Sequence, residues 1–317
     1  MRALSGASLA VAILALSSAG CSKFGQLQAM KAFKSANQAY QQQDYKRAAG
    51  LYEEAIAADP NLSQAYFFLA NSYDQQYKPS RRGEAENDAL LTKAVDIYQQ
   101  AADRLSASES PDDKKLGKLA LEYLVSAYGA DKLNDPAAAE PVVQKMIQLE
   151  PSEPSNYFAL AKIYEDAGAY AEAEQMLIRA KEAKPSDPAV YMQLAGYYNR
   201  QADFDKTIDA LTQRASVEPN NPEAYFTIST YYWDNAQRNP RLTEAEKRDQ
   251  VSKGLDAVDK ALKIKSDYME ALVYKGLLLR VQANLEKDPG KQQDLIKEAN
   301  ALRDEAEAIK KKRTSGD

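Results

Sequence analysis

Residues 154–187 read PSNYFALAKIYEDAGAYAEAEQMLIRAKEAKPSD, and residues 188–221 read PAVYMQLAGYYNRQADFDKTIDALTQRASVEPNN. Both stretches are 34 residues long and align without a gap. Pro151, Pro185 and Pro219 mark the period, and so do Pro154, Pro188 and Pro222. Tyr157, Tyr191 and Tyr225 keep it, as do Tyr164, Tyr198 and Tyr232. A fixed period of this size signals one supersecondary unit stacked on copies of itself. Inside the unit, Tyr157, Leu160, Ala161 and Tyr164 recur at helical intervals and form one apolar face. Ala173, Leu177 and Ala180 do the same on a second helix. The small residues let the two helices approach, while Tyr and Leu fill the gaps. Pro185 stops the second helix, and Pro188 opens the next, because proline is tolerated in a first turn. One hairpin cannot bury such a face alone, but stacked neighbours can.

The pattern extends along the chain. Tyr191, Leu194, Ala195, Tyr198, Phe204, Leu211 and Pro219 keep the register, and so do Ala36, Tyr45, Ala48, Tyr52, Ala55 and Pro60. It resembles the tetratricopeptide repeat, which has a bulky residue at position 4, Leu at 7, a small residue at 8, Tyr at 11, Ala at 20 and 27, and Pro at 32. The resemblance covers residues 29–310 and implies an all-α solenoid of about seven helix-turn-helix repeats in a right-handed superhelix. The repeats fall at 29–62, 63–111, 112–153, 154–187, 188–221, 222–267 and 268–310, with a basic tail at 311–317. The third is irregular, and its first helix is predicted to begin near Asp112. The second, sixth and seventh carry long inserts between positions 11 and 20, at Tyr73–Ala94, Tyr232–Gly254 and Leu279–Ala299. Thr243 and Glu246 have capping-box spacing inside one of them. The inserts therefore read as a loop plus about two extra turns on the second helix.

Met1–Gly20 reads as a secretory signal: Arg2, an apolar run Leu9–Leu16, then small residues. Cys21 after Ala19-Gly20 resembles a bacterial lipobox, although Ser18 stands where that pattern prefers Leu. The resemblance implies cleavage before Cys21 and lipidation of its sulfur. The alternative is cleavage after Ala19, leaving Cys21 as a lone thiol. Ser22 rather than Asp after the cysteine implies a periplasm-facing site on the outer membrane; a soluble periplasmic or secreted protein is the alternative. Residues 21–28 read as a linker from lipid to fold.

The chain has no His and one Cys, so His chemistry, intrachain disulfides and multi-thiolate metal sites are excluded. No cofactor is expected. A net charge of -5 gives no footprint for nucleic acid. Lys310–Arg313 reads as the end of the last helix, where cations suit the dipole. No phosphate loop, nucleophile elbow or metal-spaced cluster is present, so an enzyme is not expected.

The resemblance implies that positions 2, 5, 9, 12 and 13 of each first helix line a concave surface. Carried over, they give Phe33, Asn37, Tyr40, Phe67, Asn71, Phe158, Lys162, Arg200, Phe226 and Trp233 as candidate partner-binding residues. Asn37 and Asn71 each sit one turn from a Phe, and an amide can both donate to and accept from a peptide backbone. The alternative is that they satisfy contacts between helices. Trp233 is the single Trp, a residue type enriched at binding hot spots; packing against the insert is its alternative. Arg214 stands where Ala is usual, with its stem packed and its head in water, or else in a buried ion pair. The implied function is a scaffold, lipid-tethered to the bacterial envelope, that holds protein partners such as envelope-assembly or secretion components. A small-molecule or glycan carrier using the groove aromatics is the alternative.

Overall fold

The computed structural model describes the backbone of residues 7–315 and the side chains of residues 23–314. The expected signal segment Met1–Gly20 and lipidation site Cys21 lie outside the described side chains. Among the described residues there are fourteen α-helices and no strand. None of these helices is long and apolar enough to cross a membrane.

The helices follow one another as antiparallel hairpins. The first repeat holds α1 (Ala7–Gln41) and α2 (Tyr45–Ala58), and the second α3 (Ser63–Gln76) and α4 (Ala85–Ser106). The third holds α5 (Pro111–Ala127) and α6 (Pro136–Leu149). Then come α7 (Pro154–Asp166) with α8 (Tyr170–Ala183), and α9 (Pro188–Arg200) with α10 (Phe204–Val217). The last two pairs are α11 (Pro222–Arg238) with α12 (Glu244–Ile264), and α13 (Met269–Leu285) with α14 (Pro289–Ser315). Local chemistry sets these ends. Pro occupies the first turn of α5, α6, α7, α9 and α11, where its missing N–H costs nothing. Asp44, Ser110, Asp135, Asp187, Asp203 and Asn221 accept a backbone N–H at helix starts. Thr243 and Glu246 form the full capping box at α12.

Close approach within each pair depends on small residues. At position 8 the buried residues are Ala36, Ala70, Ala161, Ala195, Ser229 and Gly276. At position 20 they are Ala48, Ala94, Ala139, Ala173, Thr207, Gly254 and Ala299. The two hydroxyls in this set turn back on their own helices: Ser229 donates to Phe226 O and Thr207 to Asp203 O, both at 2.7 Å. They therefore behave as small, satisfied groups. A Cβ at Gly254 would stand 2.8 Å from Leu278 Cδ2 and 3.2 Å from Tyr232 Cβ. An alanine there would have to displace the Leu278 side chain.

The chain divides into two compact units, Met1–Pro151 and Ser152–Asp317. The first is built around Tyr52, Ala70, Tyr98, Leu105, Leu121 and Leu124, all with almost no exposed surface. Lys132, in the turn after α5, pairs at 2.7 Å with the buried Asp74 of α3. The second unit is built on Leu160, Leu177, Leu194, Leu211, Val258 and Leu278.

Four expectations are corrected. Residues 21–28, read as a linker, have helical backbone inside α1. The cause is local: between Ser22 and Gln28 only Gly25 opposes a helix, and a Cβ there would meet Ala58 O at 2.9 Å, so glycine serves close packing. The inserts lengthen first helices as well as second ones. The first helices α11 and α13 have 17 residues where α7 and α9 have 13. Residues 311–315, placed in a basic tail, are helical within α14, so Lys310–Arg313 ends the last helix as expected. Arg214 is buried rather than reaching water, paired with Glu218, 3.6 Å from Glu223, and with Nη1 donating to Met192 Sδ at 3.0 Å.

If the small positions set the helix spacing, Ala195→Leu overpacks the α9–α10 seam and costs about 1–3 kcal/mol. Gln193→Leu, on the exposed side of the same helix, changes stability by less than about 0.5 kcal/mol. Denaturant titration of both variants checks this; equal losses would mean that the two faces are misassigned.

Candidate functional site

The first helices carry the candidate residues, and the two units use them differently. In the first unit Phe67 and Asn71 are buried, and Phe33, Asn37 and Tyr40 are half-buried. Asn71 is 1% exposed. Its Oδ1 accepts the Tyr40 hydroxyl at 2.6 Å and its Nδ2 donates to the Tyr98 hydroxyl at 2.9 Å. Asn37 Oδ1 accepts the Tyr52 hydroxyl at 2.6 Å. Phe67 is 5% exposed and lies between Phe68, Tyr98 and Tyr123, with ring centroids 5.2–6.1 Å away. Phe33 meets Tyr52 and Phe68, and Tyr40 meets Tyr45 and Phe68.

Phe67 and Asn71 are thus corrected from exposed binding residues to buried parts of a structural network, while Phe33, Asn37 and Tyr40 stand half-buried at its edge. The reason is chemical. Each repeat supplies a tyrosine whose ring is apolar but whose hydroxyl must be satisfied once buried. The two asparagines are the partners that satisfy it. Burial accordingly raises the Tyr52 and Tyr98 phenols far above their ordinary value, with the neighbouring Tyr40 and Asp74 adding to it respectively.

In the second unit the corresponding surface is a set of clefts open to solvent. One of about 330 Å³ is lined by Asn199 of α9, by Thr230, Tyr231, Trp233, Asp234 and Arg238 of α11, and by Tyr274 of α13. Trp233 stands edge-on to Tyr274 with centroids 5.5 Å apart, and Phe226 meets the same ring at 5.2 Å, two turns earlier on α11. Trp233 and Tyr274 form a ledge at the cleft, and Phe226 packs behind it. Arg238 and Asp234 pair at 2.9 Å beside it, both largely exposed. A second cleft of about 680 Å³ is lined by Lys162, Glu165, Asp166, Tyr170, Gln193 and Arg200. Arg200 holds Glu165 through two bonds of 2.7 and 2.9 Å, and that pairing raises the guanidinium further. Lys162 pairs with Asp166. Phe158 is half-buried on α7.

The structure therefore brings Trp233 to one cleft, with Phe226 behind it, and Lys162 and Arg200 to another. Tyr231, Asp234, Arg238 and Tyr274 were not picked out from sequence. Arg238 lies beyond position 13, on the extra turn of α11, so the regular repeat gave no register for it. Exposed cation–carboxylate pairs with rings between them suit a polypeptide, offering hydrogen bonds along its backbone and aromatic seats for side chains. Among the described residues no His, Cys, Asp and Glu group could hold a metal ion.

The tyrosine network has a consequence at high pH. Burial, then the hydrogen bond to Glu53 (2.5 Å), raises the Tyr73 phenol from 10 to about 12. A raised folded value means that the neutral form belongs to the fold. The stability it contributes is complete below pH 10 and is lost as pH rises toward 12. Chemical denaturation followed by circular dichroism across this window should show falling stability, with a shallower fall for Tyr73→Phe. A flat profile for the native chain would contradict the network.

Two family models, each described as tetratricopeptide repeat, match residues 33–109 and 132–195. A comparison with curated proteins finds no match. Among solved structures, the C-terminal part of a TPR repeat-containing protein from Cytophaga hutchinsonii is 14% identical. It covers 85% of this chain and 95% of its own, with a TM-score of 0.54. A tetratricopeptide repeat protein from Parabacteroides merdae is 13% identical, covering 86% and 99%, with a TM-score of 0.45. YrrB, described as a TPR protein with an unusual peptide-binding site, is 18% identical, covering 62% and 89%, with a TM-score of 0.38. At 14% identity the likeness to the Cytophaga hutchinsonii protein is one of fold. With the repeat period, the paired helices and the matching models together, the chain carries tetratricopeptide repeats, matched at residues 33–109 and 132–195.

Proposed function

We propose that this protein is an interaction scaffold, tethered by lipid on Cys21 to the outer membrane of a bacterial envelope and facing the periplasm. It holds a protein partner against the first helices of its second unit. The observation that carries this is the cleft at Asn199, Trp233 and Tyr274, with its aromatic ledge and the Arg238–Asp234 pair. A rigid ring on a packed helix binds with little loss of side-chain entropy, and Trp and Arg are the residues over-represented at hot spots. Envelope-assembly and secretion components are the partner class that a tethered periplasmic scaffold would meet. The clefts are shallow and open to water rather than enclosed. That favours a polypeptide over a small molecule or a glycan carried in isolation.

A photo-crosslinking residue in place of Trp233 in living cells should capture a defined periplasmic or outer-membrane protein. One in place of the buried Asn71 should not. Trp233→Ala should weaken that partner's binding at least ~10-fold, in the range of an aromatic hot spot, without loss of helix content. Cys21→Ser should move the protein to the soluble periplasmic fraction. Equal capture from both positions would remove the site, and unchanged membrane attachment of Cys21→Ser would remove the tether.

A further inference from the structure

The start of α1 carries a surface that the packing of the repeats does not use. Phe24 and Leu27 are each 70% exposed and Met30 is 54% exposed. They follow one another at three-residue steps, which on a helix keeps them on one outward sector. Lys23, Lys31 and Lys34 are also exposed and interleave with them. The opposite side of the same segment is fixed: Ala29, Ala36 and Ala39 are buried, Phe33 packs on Tyr52, and Gly25 lies against Ala58 O. The helix therefore cannot roll to hide the three large apolar side chains.

The charge of this segment is one-sided. All 46 acidic residues of the chain lie beyond position 43, so the only charged side chains before Asp44 are Arg2, Lys23, Lys31 and Lys34. In a chain of net charge -5 this is a local reversal of sign. The pattern of Phe, Leu and Met flanked by lysines, with no carboxylate in the same segment, is that of a helix lying in the interface of an anionic bilayer. There the apolar side chains enter the acyl boundary and the amines meet headgroup phosphates. Phe24, Leu27 and Met30 lie three, six and nine residues beyond Cys21. At ~1.5 Å per residue the stripe is within ~15 Å of that position.

We infer that the outward face of α1, formed by Phe24, Leu27 and Met30 with Lys23, Lys31 and Lys34, docks on an anionic lipid surface. It would lay the first repeat against the membrane rather than let it swing on a single point. The inference rests on the membrane attachment proposed above and adds a second, non-covalent contact to it.

The test uses the full chain recovered from cell membranes, with an environment-sensitive fluorescent residue in place of Leu27 or, as control, of the exposed Gln175. It is reconstituted with phosphatidylcholine vesicles containing or lacking phosphatidylglycerol. Flotation reports attachment, and emission reports the surroundings of the probe. The expected result is a blue shift at position 27 with phosphatidylglycerol vesicles and none at position 175. Lys23→Glu, Lys31→Glu and Lys34→Glu together should return position 27 to water while the protein still floats. Each lysine lost should weaken the contact roughly fivefold. Protein that floats with position 27 in water overturns the docking face and leaves the tether standing. Protein that neither floats nor shifts overturns both. A shift already present before vesicles are added assigns the face to a second copy of the chain and overturns the lipid occupant.

Discussion

The fold depends on how closely two helices of one repeat can approach. Alanine, glycine or a back-bonded hydroxyl occupies positions 8 and 20 in almost every pair, and these residues are buried. With the backbones that close, the large side chains at positions 4, 7 and 11 pack against neighbouring hairpins. Stacking then follows, because each hairpin leaves an apolar face that only the next one covers. The third repeat is where the rule lapses: Val125 stands in the small position and is only half-buried.

The same constraint leaves the first helices free to differ on their other side. In the first unit that side is filled with aromatic rings, and the Tyr40, Tyr52, Tyr73 and Tyr98 phenols are tied to an amide or a carboxylate. Once Asn71 satisfies Tyr40 and Tyr98, it has little left to offer a ligand. In the second unit the matching positions hold Lys162, Glu165, Asn199, Arg200 and Trp233, whose polar groups remain near water. One scaffold thus yields a closed face and an open one, according to whether its aromatic residues point between helices or stand at their edge.

Much of this was legible in the sequence. The 34-residue spacing of the prolines and tyrosines dictated helix pairs, and the caps of about half of the helices were written in Asp, Ser, Asn or Thr before them. What was not legible depended on neighbours distant in the chain. The period places Asn37 and Asn71 on a nominally open face. It does not say that Tyr52 and Tyr98, 15 and 27 residues further on, reach back to them. Likewise the insert of the sixth repeat concealed the extra turn on α11 that brings Arg238 to the cleft. Tyr274, which meets Trp233 edge-on, belongs to the seventh repeat and carried no local signal. Arg214 looked like a surface cation in an alanine slot until Glu218 and Glu223 were seen beside it.

The central claim is that the second unit's cleft, and not the first unit's aromatic network, is the face that holds a partner. Oxidative footprinting of the protein in intact cells and after purification tests it most directly. Trp233 and Tyr231 should be protected in cells and reactive when purified, while Phe67 and Tyr98 stay unreactive in both. Equal reactivity of Trp233 in the two states, with protection appearing elsewhere on the surface, would contradict it.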